Sequence, residues 1–124
     1  MGEVTTAKEN SMAVARLHGD FTLQSGVQAV TDAIMAAIAD GFGMLLVDLT
    51  GIRGIEPPGP GDRHWLMTEW ARAGRGVLRL ALLIRPEFVD PDHFGTVVGR
   101  SRGLDVKGFL DEAKALDWLR GPRE

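Results

Sequence analysis

The sequence contains no cysteine, and this absence removes several kinds of chemistry at once. Without thiols, the chain of 124 residues has no disulfide framework, no thiolate zinc site and no cysteine nucleophile. Long apolar runs are also missing, because stretches such as residues 43–47 and 80–84 fall far short of the ~20 residues of a membrane-spanning helix. The N-terminus has no basic segment followed by an apolar stretch. We therefore expect a cytoplasmic protein without stable membrane insertion.

The chain also lacks a strong charge of one sign. It has 14 Lys and Arg against 17 Asp and Glu, which gives a formal net charge of −3. This balance argues against nucleic acid as a partner. A hydrophobic content of 44% and a charged content of 25% are typical of a globular protein. The length predicts a single domain that covers residues 1–124.

Catalytic and cofactor motifs are scarce. The three histidines, His18, His64 and His93, are far apart and lack the spacing of a metal site. No glycine-rich phosphate loop follows a predicted strand, so no nucleotide cofactor is expected. Residues 99–103 (GRSRG) match the G-x-S-x-G string of hydrolases, but here the string ends a predicted helix before a strand, which is the opposite context. The sequence therefore predicts no catalytic residue, no metal, no cofactor and no enzymatic activity.

Hydrophobic periodicity predicts an alternation of strands and helices. The predicted strands are residues 3–6, 12–17, 44–48, 77–84 and 106–109, and the predicted helices are residues 24–40, 62–73, 91–102 and 111–119. Thr22 or Asp20 is expected to cap the first helix, and Gly41 to end it. Such alternation indicates an α/β fold with a mostly parallel sheet of four to five strands and about four helices. The first strand is expected to add an antiparallel edge.

Two segments carry a family resemblance. Residues 16–21 (RLHGDF) end a strand before the first helix, and residues 46–55 (LVDLTGIRGI) run from a buried strand into a loop. In their order and spacing they resemble the STAS domain, the fold of bacterial anti-sigma-factor antagonists. Residues 90–95, 102–106 and 111–119 resemble an uncharacterised STAS-like branch that is sometimes grouped with CRAL-TRIO lipid-transfer folds. The resemblance covers about residues 12–120.

The chain departs from this family in one loop. The resemblance implies an Asp-Ser-Ser-Gly segment whose serine is the phosphorylation switch, whereas this sequence has Glu56-Pro57-Pro58-Gly59. Neither proline has a hydroxyl, and neither has an amide to donate, so the segment is expected to be stiff and extended. The resemblance therefore implies a regulatory protein-interaction module without this switch. Glu56 is either a fixed negative charge that mimics a phosphate or an ordinary solvated glutamate.

Apolar side chains outside the expected core indicate where a partner would bind. Trp65 and Trp70 are five residues apart, about 140° around a helix, so one narrow stripe cannot bury both. If Trp70 faces the core, Trp65 and Met67 lie nearer the edge, where Trp65 either meets a partner or covers the sheet edge. The candidate surface for a partner or ligand consists of Met35, Arg53, Glu56, Pro57, Pro58, Trp65 and Met67.

Three further questions stay open from the sequence. The alternative function is binding of an apolar small molecule or lipid, with the Pro/Gly-rich loop and the following helix as a lid. Five arginines are expected to converge at the carboxyl ends of the strands and contact an anion, or else to pair with nearby carboxylates. They are Arg53, Arg63, Arg85, Arg100 and Arg102, of which Arg85, Arg100 and Arg102 are the candidate anion contacts. The sequence also leaves open whether the protein forms a homodimer.

Overall fold

Five strands and four α-helices alternate along the part of the chain that the computed structural model describes, residues 2–9, 11–89 and 94–122. The strands are β1 (Glu3–Glu9), β2 (Met12–Asp20), β3 (Met44–Arg53), β4 (Arg79–Leu83) and β5 (Asp105–Phe109). The helices are α1 (Leu23–Ala39), α2 (Pro60–Gly74), α3 (Phe94–Ser101) and α4 (Glu112–Arg120), and a short 3₁₀ turn spans Pro86–Phe88. The predicted helix start at Pro91 lies outside the described residues.

The strands form one sheet in the order β1-β2-β3-β4-β5. β1 pairs antiparallel with β2, and every other neighbouring pair is parallel. The predicted α/β sheet with an antiparallel N-terminal edge is therefore confirmed. β3 extends to Arg53, five residues beyond its predicted end, because it continues to pair with β2 past a register shift between Arg16 and His18.

The sheet separates two apolar cores. On one face, α1, α2 and α3 cover a large core that includes Ile34, Leu45 and Leu80. On the other face, α4 covers a smaller core that includes Leu46 and Leu119. This arrangement follows from right-handed crossovers, which place every helix between two parallel strands on the same side of the sheet.

Local side-chain chemistry fixes the helix ends. The Ser25 amide donates to Thr22 Oγ1 at 3.0 Å, and the Thr22 amide donates to Ser25 Oγ at 2.9 Å, which caps α1 in both directions. After the helix, Gly41 has a φ of +84°, as expected for its predicted role. Gly103, with a φ of +89°, follows α3 and leads into β5. The GRSRG string is therefore a helix ending, as predicted.

Candidate functional site

An apolar cavity of about 660 Å³ lies against the face of the sheet that carries α1, α2 and α3 and continues around the edge of β5. Its volume is in the range of roughly 300–1,000 Å³ that small-molecule sites occupy. The inner part lies between the sheet, α1 and α2, and the outer part lies beside β5, α3 and α4. Representative inner residues are Leu17, Val27, Ile52, Leu66, Trp70 and Leu82. Outer residues include Thr96, Val97, Arg100, Lys107, Phe109 and Trp118.

The side chain of Trp70 lines the inner part of the cavity in a fixed orientation. Its side chain is buried, and its Nε1 donates to the Val27 carbonyl oxygen at 3.2 Å, which links α2 to α1. A buried indole N–H needs such a partner, so this bond sets the orientation of the ring. The nearby Gly26 allows close approach, because a Cβ there would lie 3.0 Å from Ile55 Cδ1. The loop after β3 therefore lies directly on α1.

Arg63 fastens the Pro/Gly-rich loop over the cavity. Its Nε donates to the Pro58 carbonyl oxygen at 2.8 Å, and its Nη1 lies 3.5 Å from the Phe88 carbonyl oxygen. Arg63 and Pro58 both line the cavity. One guanidinium thus ties the start of α2 to the loop and reaches the 3₁₀ turn on the other side.

Arg85, a predicted anion contact, holds the end of β3. Its Nη1 donates to the Ile52 carbonyl oxygen at 2.8 Å and lies 3.3 Å from that of Thr50. Its Nε lies 3.2 Å from a carboxylate oxygen of Glu87, and its guanidinium lies 5.3 Å from the Phe88 ring centroid. Two of the residues that Arg85 contacts, Ile52 and Phe88, line the cavity.

The outer part of the cavity carries two cations, Arg100 on α3 and Lys107 on β5. Lys107 Nζ lies 5.5 Å from the ring centroid of Phe109, which in turn lies 5.6 Å from that of Trp118. Among the described residues, no carboxylate lines the cavity. Val97 is 60% exposed at its rim. The cavity is thus apolar inside and positively charged at its outer end.

Trp65 and Met67, which the sequence places together near the edge of the core, differ in their exposure to solvent. Trp65 is 39% exposed near the start of α2, as predicted from the helical spacing, and Glu56 and Pro57 are exposed in the preceding loop. Met67 is only 7% exposed, so its expected place near the edge is wrong. The reason is α3, whose Gly99 lies so close that an added Cβ would be 3.4 Å from Met67 Sδ. A glycine on another helix thus buries this side chain.

Met35 is exposed, as expected for a residue outside the main stripe of α1, but it lies apart from the loop. It is 12 residues after the first residue of α1, whereas Trp65 is five residues after the first residue of α2. Met35 is therefore in the fourth turn of α1, whereas Trp65 is in the second turn of α2.

The five arginines do not form a single cluster. Arg53 and Asp20 are both exposed, and Arg53 Nε lies 3.4 Å from Asp20 Oδ1. Arg100 and Arg102 lie at the end of α3, next to the amino end of β5, whereas Arg85 follows the carboxyl end of β4. Because α3 precedes β5 and runs back along the sheet, its last turn is at the opposite end from Arg85. Of the two alternatives, convergence of all five arginines at the carboxyl ends of the strands does not fit the positions of Arg100 and Arg102, whereas Arg85 does pair with a nearby carboxylate, that of Glu87.

An ion-pair network lies on the other face of the sheet. Arg16 Nη1 lies 2.8 Å from Asp48 Oδ2 and 2.7 Å from Glu112 Oε1, so it joins β2, β3 and α4. These hydrogen bonds, first that to Glu112 and then that to Asp48, raise the pKa of Arg16. Burial alone raises the pKa of Asp48, but hydrogen bonds from Thr50 and Arg16 outweigh it, and the net pKa is lowered. The network fastens α4 to the sheet.

The described residues, 2–9, 11–89 and 94–122, also bear on metal binding and on membrane insertion. Their histidine, aspartate and glutamate side chains form no group of three or more that could hold a metal ion. In the same part of the chain, every helix is too short or too polar to cross a bilayer.

Solved structures with the same fold provide the comparison with known proteins. No protein-family model and no curated protein matches this chain. An anti-sigma factor antagonist from Mycobacterium paratuberculosis superposes with a TM-score of 0.65 at 16% identity, over 98% of this chain and 96% of that one. The anti-sigma factor antagonist SpoIIAA, in its unphosphorylated form, gives 0.56 at 18% identity, over 97% and 100%.

A third structure is an uncharacterised protein with a SpoIIAA-like fold from Shewanella loihica PV-4. It gives a TM-score of 0.52 at 19% identity, over 95% of this chain and 93% of that one. At these identities the likeness concerns the fold, and it extends over nearly the full length of each chain. This protein therefore has the STAS-like fold of the anti-sigma factor antagonists, as the resemblance of its sequence predicts.

Proposed function

We propose that this protein is a non-enzymatic regulatory module that binds a protein partner through the surface formed by its Pro/Gly-rich loop and the start of α2. The observation that carries the proposal is the fold shared with two anti-sigma factor antagonists over nearly the whole chain. The segment from Glu56 to Gly59 contains no hydroxyl group, so the module works without phosphorylation in that segment.

The chemistry of this surface supports a protein partner. Trp65 on α2 and Pro57 in the preceding loop both expose apolar surface, and Glu56, next to Pro57 in the chain, exposes a carboxylate. Tryptophan is enriched among the residues that dominate binding energy at interfaces. The loop is anchored by Arg63 and Gly54, so a partner would meet a surface that is already ordered.

Substitution of Trp65 tests this surface. In quantitative affinity purification from the native cytoplasm, Trp65→Glu is expected to release a partner that the wild-type protein retains. Loss of a central aromatic contact of about 2 kcal/mol or more lowers affinity by about 30-fold or more. The matched control is Val77→Glu, because Val77 is also exposed but lies after α2, away from this loop. An unchanged set of partners with Trp65→Glu would contradict the assignment of this surface.

A second candidate function is binding of an apolar small molecule or lipid, and the cavity of about 660 Å³ favours it. In this function the loop that carries Ile55 and Pro58 is the lid, with the start of α2 behind it. Native mass spectrometry of protein purified gently from its source, without refolding, is expected to show a reproducible extra mass. Unliganded protein together with a flat tryptophan-fluorescence titration over a broad lipid panel would count against this function.

A further inference from the structure

We infer that the cavity binds an amphiphile with one apolar chain and an anionic head group, with the head group held between Arg100 and Lys107. This inference rests on the second candidate function and specifies its ligand. It also specifies an orientation, with the chain in the inner part of the cavity and the head group at the edge of β5.

The distribution of charge gives this orientation. The wall around Trp70 is apolar, whereas the outer part contributes the two cations, and no described lining residue supplies a carboxylate to neutralise them. Arg100 and Lys107 are both exposed at this outer end, and an anion bound there accepts charge-assisted hydrogen bonds from two cationic side chains. Arg63, the third cation of the lining, already donates to the carbonyl oxygen of Pro58.

The two cations approach β5 from its two faces. Side chains alternate along a strand, so Lys107 and Phe109 point to the α4 face, while Val106 and Gly108 point to the α3 face. Arg100 comes from α3, which packs on that second face. A head group at the exposed edge of β5 therefore has a donor on either side, with the rings of Phe109 and Trp118 beside it.

Gly108 explains how the apolar chain of the ligand reaches the inner part of the cavity. It lines the cavity between the two ends, and an added Cβ would lie 3.4 Å from Ile84 Cδ1. Because glycine has no side chain, the passage past β5 stays open at this residue. A larger side chain here would fill the passage without requiring an unusual backbone conformation, since Gly108 is outside the positive-φ residues.

The test compares oleate with oleyl alcohol, which has the same chain and a neutral head. Isothermal titration calorimetry below the micelle concentration is expected to show tighter binding of oleate to the wild-type protein. The double variant Arg100→Gln, Lys107→Gln should weaken oleate binding by about tenfold or more and leave alcohol binding unchanged. The matched control, Arg102→Gln with Lys114→Gln, removes two exposed cations outside the cavity lining and should leave both affinities unchanged.

A third ligand, oleoyl lysophosphatidic acid, distinguishes a phosphate head group from a carboxylate. Tighter binding of oleate would identify a carboxylate head group, and tighter binding of the lysophosphatidic acid would identify a phosphate. Both anions must lose affinity in the double variant. Gly108→Leu is expected to weaken binding of all three ligands, because it blocks the chain itself.

Each contrary result has its own meaning. Equal affinity for oleate and oleyl alcohol, or an unchanged oleate affinity in the double variant, would overturn the anionic head group but leave apolar-ligand binding in place. Absence of binding by all three ligands would overturn the head-group inference and the second candidate function together. Unchanged binding by a folded Gly108→Leu protein would overturn the orientation.

Discussion

Gly54 shows how one residue shapes the loop that faces the site. Its φ is +87°, and an added Cβ would lie 2.9 Å from the Phe21 carbonyl oxygen. Both the backbone conformation and the space therefore require glycine here. The same tight approach lets the Phe21 amide donate to the Arg53 carbonyl oxygen at 2.9 Å, which joins the ends of β2 and β3.

Gly54→Ala is accordingly expected to lower the free energy of unfolding by about 2 kcal/mol, since the left-handed conformation alone costs an alanine about 1–2 kcal/mol. Urea denaturation measures this change. Gly61→Ala is the control, because it lies in α2, where nothing is within 4 Å of an added Cβ. In a helix, alanine is favoured over glycine, so the control should keep or raise the stability.

Asp48 gives a prediction about pH. Its pKa in the folded protein is below the ordinary value of about 3.9. A carboxyl group of this kind contributes stability above its unfolded-state pKa, and the contribution is lost as the pH falls through the folded-state pKa. Asp48→Asn should therefore cost about 1–3 kcal/mol at pH 7, and this cost should shrink as the pH falls through the lowered folded-state pKa of Asp48.

Thermal unfolding of both proteins between pH 7 and pH 2 checks this expectation. Asp40→Asn is the control, because the Asp40 carboxylate lies 3.4 Å from Lys8 Nζ with both side chains at least half exposed. Such a surface pair contributes little. A constant difference between Asp48→Asn and the wild-type protein across the whole pH range would refute the proposed role of the carboxylate.

At the scale of elements, the C-terminal end of α4 is held by a buried arginine, Arg79, the first residue of β4. Arg79 is 3% exposed, its Nη1 donates to the Gly121 carbonyl oxygen at 2.7 Å, and its guanidinium lies 4.1 Å from the Trp118 ring centroid. Asp105 completes the arrangement, with a carboxylate oxygen 3.2 Å from Arg79 Nε.

Arg79→Ala is expected to loosen α4 more than the rest of the protein, because packing, a charged hydrogen bond and an ion pair are lost together. We expect a loss of about 2–4 kcal/mol in the free energy of unfolding. Hydrogen exchange should accelerate at residues 112–120 and stay unchanged in α1. The control is Arg120→Ala, at an exposed position of the same helix. Uniform acceleration over the whole chain would contradict a local role.

The elements themselves were largely predictable, because their signals are local. Periodicity identified each helix and strand, and the prolines and glycines placed the loops. The extension of β3 to Arg53 was not predictable, since it depends on pairing with β2 across a register shift. The burial of Met67 was missed for a similar reason, because it requires α3 to pass close by at Gly99.

At the scale of the whole molecule, the site was predicted only in part. The exposure of Trp65 follows from helical geometry, and the loop after β3 was identified from its prolines. The cavity could not be seen in the sequence, because its lining comes from strands, helices and loops throughout the chain. Its cations were known as residues, but the tertiary fold determines that Arg100 and Lys107 line the same cavity.

The order of the strands in the sheet is also their order along the chain. During synthesis, each strand that leaves the ribosome therefore finds its neighbour already made, and the nascent sheet can grow from one side only. The large core closes as α1, α2 and α3 emerge in turn. Met12, Val14 and Leu46, on the opposite face, pack against Ala115 and Leu119 of α4, so we expect them to stay exposed to water until α4 has been made. We expect an arrested chain that stops before α4 to engage chaperones, and release of that helix to complete folding.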